Sequence, residues 1–313
     1  MKAVVSRRQF LQTATWGAAG IGVGWPLRAS WALPRGDADL RFVFYTDIHA
    51  RTEWETPDAM MQAAMAITDI EADLVICGGD CITDGFQASS EEVQPRWDAY
   101  MQMHRAIQPR PYAAIGNHDL VGAVPKDGSE PAIDPRQDFL QAMGRDSTWF
   151  SIEAGGCRIF FLDSIEVTGS KRLYRGWVSG EQLAWLEMEL ERVALDQPLI
   201  VVTHMPFMTG FFQATEGAGT PVPENRAVMN HREVLSRFAR HNLVLVLQGH
   251  LHVNEMLRWG KTTFITGGAV CGKWWRGSWQ GTPEGFGVVT LADGKVDWEY
   301  RTYGWTARRP PDQ

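Results

Sequence analysis

Four cysteines in 313 residues (Cys77, Cys81, Cys157 and Cys271) are too few for a disulfide scaffold, and they match no zinc-ribbon spacing. Cys77 and Cys81 are close enough to leave one incidental bridge open. No G-x-S-x-G elbow and no Cys/His nucleophile pattern occurs, so the common covalent-hydrolase sites are absent. The uncharged N-terminal stretch "QTATWGAAGIGVGWPL" falls short of the roughly 20 apolar residues of a membrane span and is diluted by glycine, so no permanent membrane anchor is expected. Positive charge is also scarce: 30 Lys and Arg face 37 Asp and Glu, for a net charge of −7. Phosphate contacts dominate affinity for long nucleic acids, so no stable nucleic-acid binding is expected.

What the N-terminus does have is the order of an export signal. "SRRQFL" is followed by the modest apolar stretch and then by "ASWA", a small-x-small site at Ser30 and Ala32. Arg7 and Arg8, with Phe10 and Leu11 behind them, resemble a twin-arginine signal, which implies the twin-arginine export machinery as a partner and a periplasmic or extracellular location. The expected division is a signal over 1–32 and a single domain over 33–313. Cleavage after Ala32 removes Lys2, Arg7, Arg8 and Arg28 and no acid, taking the net charge from −7 to −11.

The remainder alternates. Short apolar runs read as strands at 41–46, 73–77, 112–115, 148–153, 157–162, 199–203 and 243–247. Between them lie helices from Thr56-Pro57 and over 91–107, 135–143, 180–194 and 231–240. Continuous β-branched runs suit strands buried on both faces. Ser179 with Gln182 marks a capping box. After residue 250 only strands follow, at 253–258, 262–267, 286–291 and 295–302, and they read as antiparallel. This order predicts two packed sheets flanked by helices in one domain. Two long stretches, 121–135 and 205–229, exceed plain connectors.

The chemistry lies just past the strands. Asp47 and His49 follow the first strand and Asp80 the second; Asn117, His118 and Asp119 follow the third. His204 and the pair His250 and His252 follow two later ones. Ligands bind at the carboxyl ends of strands in open α/β sheets. Any one of these short motifs is weak, because Asp, Asn and Gly also make turns. Five together form a coherent set of carboxylate, imidazole and amide donors, suited to transition metals rather than to an all-oxygen calcium or magnesium cage.

The series D-x-H (Asp47, His49), G-D (Gly79, Asp80), G-N-H-D (116–119), H (His204) and G-H-x-H (249–252) resembles the calcineurin-like metallophosphoesterases over residues 40–302. The resemblance implies a four-layer αββα sandwich, in which two mixed sheets carry a dinuclear metal site at the strand ends. It implies two divalent or trivalent transition-metal ions (Fe, Mn or Zn), one on Asp47, His49 and His252 and the other on Asn117, His204 and His250, with Asp80 bridging. It further implies hydrolysis of phosphomonoesters or small phosphodiesters by a hydroxide held between the ions, with His118 as the catalytic histidine and Asp119 orienting it. Thr83 stands where purple acid phosphatases carry a ligating Tyr, which argues against that subgroup. A non-catalytic scaffold of the same fold would be expected to lose ligands, and a nuclease conflicts with the acidic charge.

The substrate is less legible. "GGAVCGKWWRGSWQGTPEGF" reads either as a substrate platform, with Lys273, Trp275 and Arg276 as binding residues, or as tryptophans closing the core. Asn117 is a further candidate for substrate contact. The stretch 205–229 reads as a lid or as an ordered surface loop.

Overall fold

A computed structural model describes residues 40–169 and 172–309. The export signal expected over 1–32 lies outside them. In chain order the strands are β1 (Leu40–Tyr45), β2 (Leu74–Cys77), β3 (Tyr112–Ala113), β4 (Phe150–Ala154), β5 (Cys157–Leu162), β6 (Ile165–Val167) and β7 (Tyr174–Gly176). They continue with β8 (Pro198–Thr203), β9 (Asn242–Gln248), β10 (Glu255–Trp259), β11 (Thr262–Thr266), β12 (Gly285–Ala292) and β13 (Lys295–Thr302). The helices are α1 (Thr56–Thr68), α2 (Ser90–Ala106), α3 (Gln137–Met143), α4 (Gly180–Leu190), α5 (Phe211–Glu216) and α6 (His231–Arg237).

Two mixed sheets carry the fold, ordered β13-β12-β1-β2-β3 and β10-β11-β9-β8-β5-β4. Residue alternation explains how they meet. Phe42, Phe44, Leu74 and Ile76 of one sheet pack with Ile159, Phe161, Ile200, Val202, Leu245 and Leu247 of the other. Their neighbours Val43, Tyr45 and Val75 join the helices in a second core. Tyr45 and Tyr100 of α2 bring their hydroxyls to 3.5 Å, while Phe160 of β5 meets Trp185 of α4 and Phe238 edge-on. Strands buried on both faces have no polar side to display, which is why the sequence runs lacked alternation. The result is helix, sheet, sheet, helix, as expected.

Some local expectations need correction. The third strand stops at Ala113, α4 ends at Leu190 and α6 ends at Arg237. The short β6–β7 hairpin and α5 carry too few residues for a readable period. β11 pairs parallel to β9, so the C-terminal strands are not uniformly antiparallel. Ser179 Oγ accepts from the Gln182 amide, but the Gln182 side chain is spent on both backbone groups of Asp163, so the box is half formed. All four cysteines are free and buried, and the Cys77 and Cys81 sulfurs stand 4.0 Å apart. No helix among the described residues is long and apolar enough to cross a membrane.

Candidate metal centre

β1, β2 and β3 run parallel in one sheet, and β8 and β9 run parallel in the other, so the five ligand-bearing loops leave the same end of the sandwich. There Asp47, His49, Asp80, Asn117, His204, His250 and His252 come together, all buried. Five of them adopt left-handed backbone: Asp47, His49, Asp80, His250 and His252 have φ between 45° and 70°. Asp and His tolerate that region better than most side chains, yet such clustering marks a loop held for function rather than for stability. Two glycines make the approach possible. A Cβ on Gly116 would lie 2.2 Å from Asp80 Oδ1, and one on Gly249 would lie 2.7 Å from Asp47 Oδ2.

Five of the seven ligands are aimed by a bond on the far side, whereas His49 Nδ1 is buried without a hydrogen-bond partner. Asp80 Oδ1 accepts from the His118 amide at 2.8 Å, which leaves Oδ2 free in the middle. Asp47 Oδ2 accepts from the Thr46 hydroxyl and the His250 amide. His204 donates from Nδ1 to the Gly78 carbonyl and His252 from Nδ1 to the Gly272 carbonyl, so both turn Nε2 inward. His250 is reversed: its Nε2 donates to the Asn225 carbonyl, and Nδ1 faces inward. Fixing the tautomer through the outer nitrogen is how proteins orient metal-binding imidazoles.

The inward atoms form two abutting clusters. Around one point, His49 Nε2 lies 3.1 Å from His252 Nε2, 3.5 Å from Asp80 Oδ2 and 3.9 Å from Asp47 Oδ1. Around the other, His204 Nε2 lies 3.1 Å from Asp80 Oδ2, 3.2 Å from Asn117 Oδ1 and 3.2 Å from His250 Nδ1. Donors about 2.1 Å from a common ion sit about 3.0 to 3.4 Å apart in tetrahedral or octahedral geometry. The second cluster falls within this span. In the first the His252 contacts to His49 and Asp47 do, at 3.1 and 3.3 Å, while His49 stands wider from the two carboxylates. Asp80 Oδ2 belongs to both.

Charge points the same way. Burial works against ionising Asp47, but His252 beside it wins and holds the carboxyl at about 2. His204 and His118 overcome the same burial to hold Asp80 well below the usual range. Burial would lower His204, but Asp80 raises it to about 9; burial, with the charges of His204 and Arg226, pushes His250 down to about 3. Two buried ionised carboxylates amid imidazoles ask for positive charge, which metal ions supply while displacing protons from the histidines.

His118 lies edge-on to His49, with ring centroids 4.6 Å apart. Its Nδ1 accepts from the Asp84 amide at 3.1 Å, so the neutral ring carries its proton on Nε2. The expected orienting bond from Asp119 is not there. Asp119 instead accepts from the Gly116 amide at 2.9 Å and the Ile82 amide at 3.1 Å, tying the 116–119 turn to the loop after Asp80. Burial and the Asp80 charge push its carboxyl up to about 7.

The tryptophan segment also divides. Trp275 is 2% exposed and donates from Nε1 to the His49 carbonyl at 3.0 Å, so it is a core rivet and not a substrate contact. Trp274 takes the position facing the site, 4.7 Å from the His252 ring. Arg276 stacks over Trp54, and Lys273 lies 5.8 Å from the Trp279 ring. Cys271 is near His252 but behind it: its sulfur is 3.9 Å from Nδ1, the nitrogen already committed to Gly272. The 205–229 stretch is ordered at its base, where Val228 bonds Pro206 and Gln248 bonds both Phe207 and Met208. Sequence reasoning missed the supporting carbonyls of Asn225 and Gly272 and the amide of Asp84, because backbone groups leave no trace in residue type.

This sandwich with paired donor clusters defines a metal-binding hydrolase of the phosphoesterase type. Residues 40–254 match the model of the calcineurin-like phosphoesterases, and the chain belongs to that family. The comparison with curated proteins gives no match. Among solved structures, it is similar to a dimetal phosphatase from Danio rerio (14% identity, covering 84% of this chain and 96% of that one, TM-score 0.57). It is also similar to GAP50, described as the anchor in the inner membrane complex of Plasmodium (14% identity, 85% of each chain, TM-score 0.51). At such identities the likeness shows the fold alone.

Proposed function

We propose that the protein hydrolyses phosphomonoesters or small phosphodiesters with a dinuclear centre. Asp47, His49 and His252 would hold one ion, and Asn117, His204 and His250 the other, with Asp80 shared. When bound, two such ions supply Lewis acidity toward phosphate oxygens and lower the pKa of water. The observation that carries this reading is the convergence of seven donor side chains, five of them with the far side held by a hydrogen bond.

The chain's own residues do the rest. Asn117 offers an amide beside the phosphate position as well as a ligand oxygen. His118 holds a proton on Nε2, because the Asp84 amide occupies Nδ1, and can deliver it to the departing ester oxygen. Asp119 keeps the turn bearing His118 in register with Asp80. The ligand types favour Fe, Mn or Zn. Twin-arginine export through Arg7 and Arg8 to the periplasm or exterior, with one domain from residue 33, belongs to the same proposal and suits a protein loaded with metal before transport.

Metal analysis of the purified protein, with paired assays on a chromogenic monoester and diester, tests this. About two ions per chain and hydrolysis of at least one ester are expected. Absence of both after reconstitution with Mn, Fe or Zn would leave a scaffold.

A further inference from the structure

Trp54 is ringed by guanidinium groups. The Cζ atoms of Arg51, Arg309 and Arg276 lie 4.3, 4.8 and 5.2 Å from the centroid of its indole. One cation over an indole is ordinary; three crowd like charges around a single ring and repel one another. Neighbouring acids offset only part of this. Glu53 pairs with Arg51 at 3.0 Å and Glu55 with Arg308 at 3.1 Å. Among the described residues, no carboxylate lies within ion-pair distance of Arg276 or Arg309, in a chain whose net charge is −7.

Part of the cluster shares a loop with the centre: Arg51 and Trp54 lie in the loop that carries His49, while Arg276 comes from the segment after β11 and Arg309 from that after β13. Arg51 follows the ligand His49 by two residues, and Arg276 shares a tight turn with Trp274, whose ring stands 4.7 Å from that of His252. The buried Trp275 bonds the His49 carbonyl and locks these loops together. Trp54 and Glu55 both sit in left-handed backbone, φ 65° and 58°, a placement that local propensity does not supply. His118 packs edge-on against His49, so the proton donor and the arginine cluster flank one ligand loop.

We propose that Arg51, Arg276 and Arg309, gathered on Trp54, form an anion subsite beside the metal centre. It takes a second negative oxyacid group, carboxylate or phosphate, on the leaving portion of the substrate. Guanidinium pairs such groups through two parallel hydrogen bonds, and the indole holds the side chains ready for them. The substrate class narrows to phosphate esters that carry a second anion. This inference rests on the phosphoesterase reading.

Calorimetry on the metal-loaded protein tests it with three non-hydrolysable probes: phenylphosphonate, 4-carboxyphenylphosphonate and 1,4-phenylenediphosphonate. The doubly anionic probes should bind about tenfold more tightly than phenylphosphonate, as expected for one charge-assisted pair. The carboxylate and phosphonate arms show which oxyacid is preferred. In Arg276→Gln/Arg309→Gln the advantage should vanish, and Arg276→Lys/Arg309→Lys should restore part of it. Equal binding of all three probes, or an advantage that survives the double Gln variant, overturns the subsite. Phenyl phosphate hydrolysis, measured in parallel, separates the failures. If it persists, only the subsite falls; if it is absent alongside metal, the phosphoesterase reading falls and takes the subsite with it.

Discussion

The backbone carbonyl of Asn225 accepts from His250 Nε2 at 2.9 Å, and this bond turns the ring so that Nδ1 faces the centre. His252, two residues on, is bonded the other way and presents Nε2. The two histidines of one short turn thus serve different clusters through different nitrogens, across Asp47 and Asp80.

Metal content should follow that division. His250→Ala removes a donor from one cluster only and should lower content from about two ions per chain to about one. Asp80→Asn weakens both clusters and should bring it close to zero. Elemental analysis after desalting reads both, and equal losses in the two variants would contradict a shared Asp80.

His118 and Asp119 should separate in their effects. His118→Asn should retain metal and lose about 10²- to 10⁴-fold in kcat, the usual contribution of a positioned proton donor. Asp119→Asn can accept only one of the two amides that its carboxylate now satisfies. It should cost about 1–3 kcal/mol in denaturant unfolding, the penalty of a buried unpaired group. A stable Asp119→Asn protein would show the turn to be held by other contacts.

Trp275→Phe preserves the aromatic bulk but deletes the donor to the His49 carbonyl. A buried acceptor left without its partner predicts about 1–3 kcal/mol of destabilisation in chemical unfolding. If Trp275 were a substrate platform instead, stability would hold and KM would rise.

His104, away from the centre on α2, should give a pH signature of its own. It is 2% exposed, and burial, helped by Arg110 and Arg105, lowers its pKa from 6.5 to about 4, with the Tyr100 hydroxyl 3.3 Å from Nδ1. The unfolded chain binds the proton more readily, so this stabilisation is full above pH 6.5 and is lost as pH falls toward 4. The whole effect is about 3 kcal/mol at most. Comparing unfolding of the parent and His104→Gln at equal metal loading between those pH values isolates it; parallel curves would show that His104 is already charged in the fold.

The layers and the donor set were legible in the sequence because both depend on side-chain type. Phe42, Phe44 and Ile76 announce a buried sheet, and Asp47, Asp80 and His204 stand directly after such runs. What was illegible depends on where the backbone goes. The role expected for Asp119 went to the Asp84 amide, which no residue-type argument locates. Trp274 and Trp275 are the same residue type side by side, and only the left-handed turn that carries them, φ 48° and 67°, decides that one faces the site and the other the core. The short β6–β7 hairpin and α5 failed for another reason: a few residues cannot establish a period.

The donors arrive from two sheets that no strand ladder joins: Asp47, His49, Asp80 and Asn117 from one, His204, His250 and His252 from the other. An ion bound by both groups would therefore add a cross-brace between halves of the molecule that otherwise meet through side-chain packing and a few loop hydrogen bonds, such as those from the Val270 and Cys271 amides to the Thr46 and Asp47 carbonyls. Under the proposed function, catalytic competence and mechanical integrity would rest on the same few atoms. Stripping the ions with a chelator should open the sandwich at this end first, and an ion at a hundred times its dissociation constant should add about 2.7 kcal/mol to the folded state.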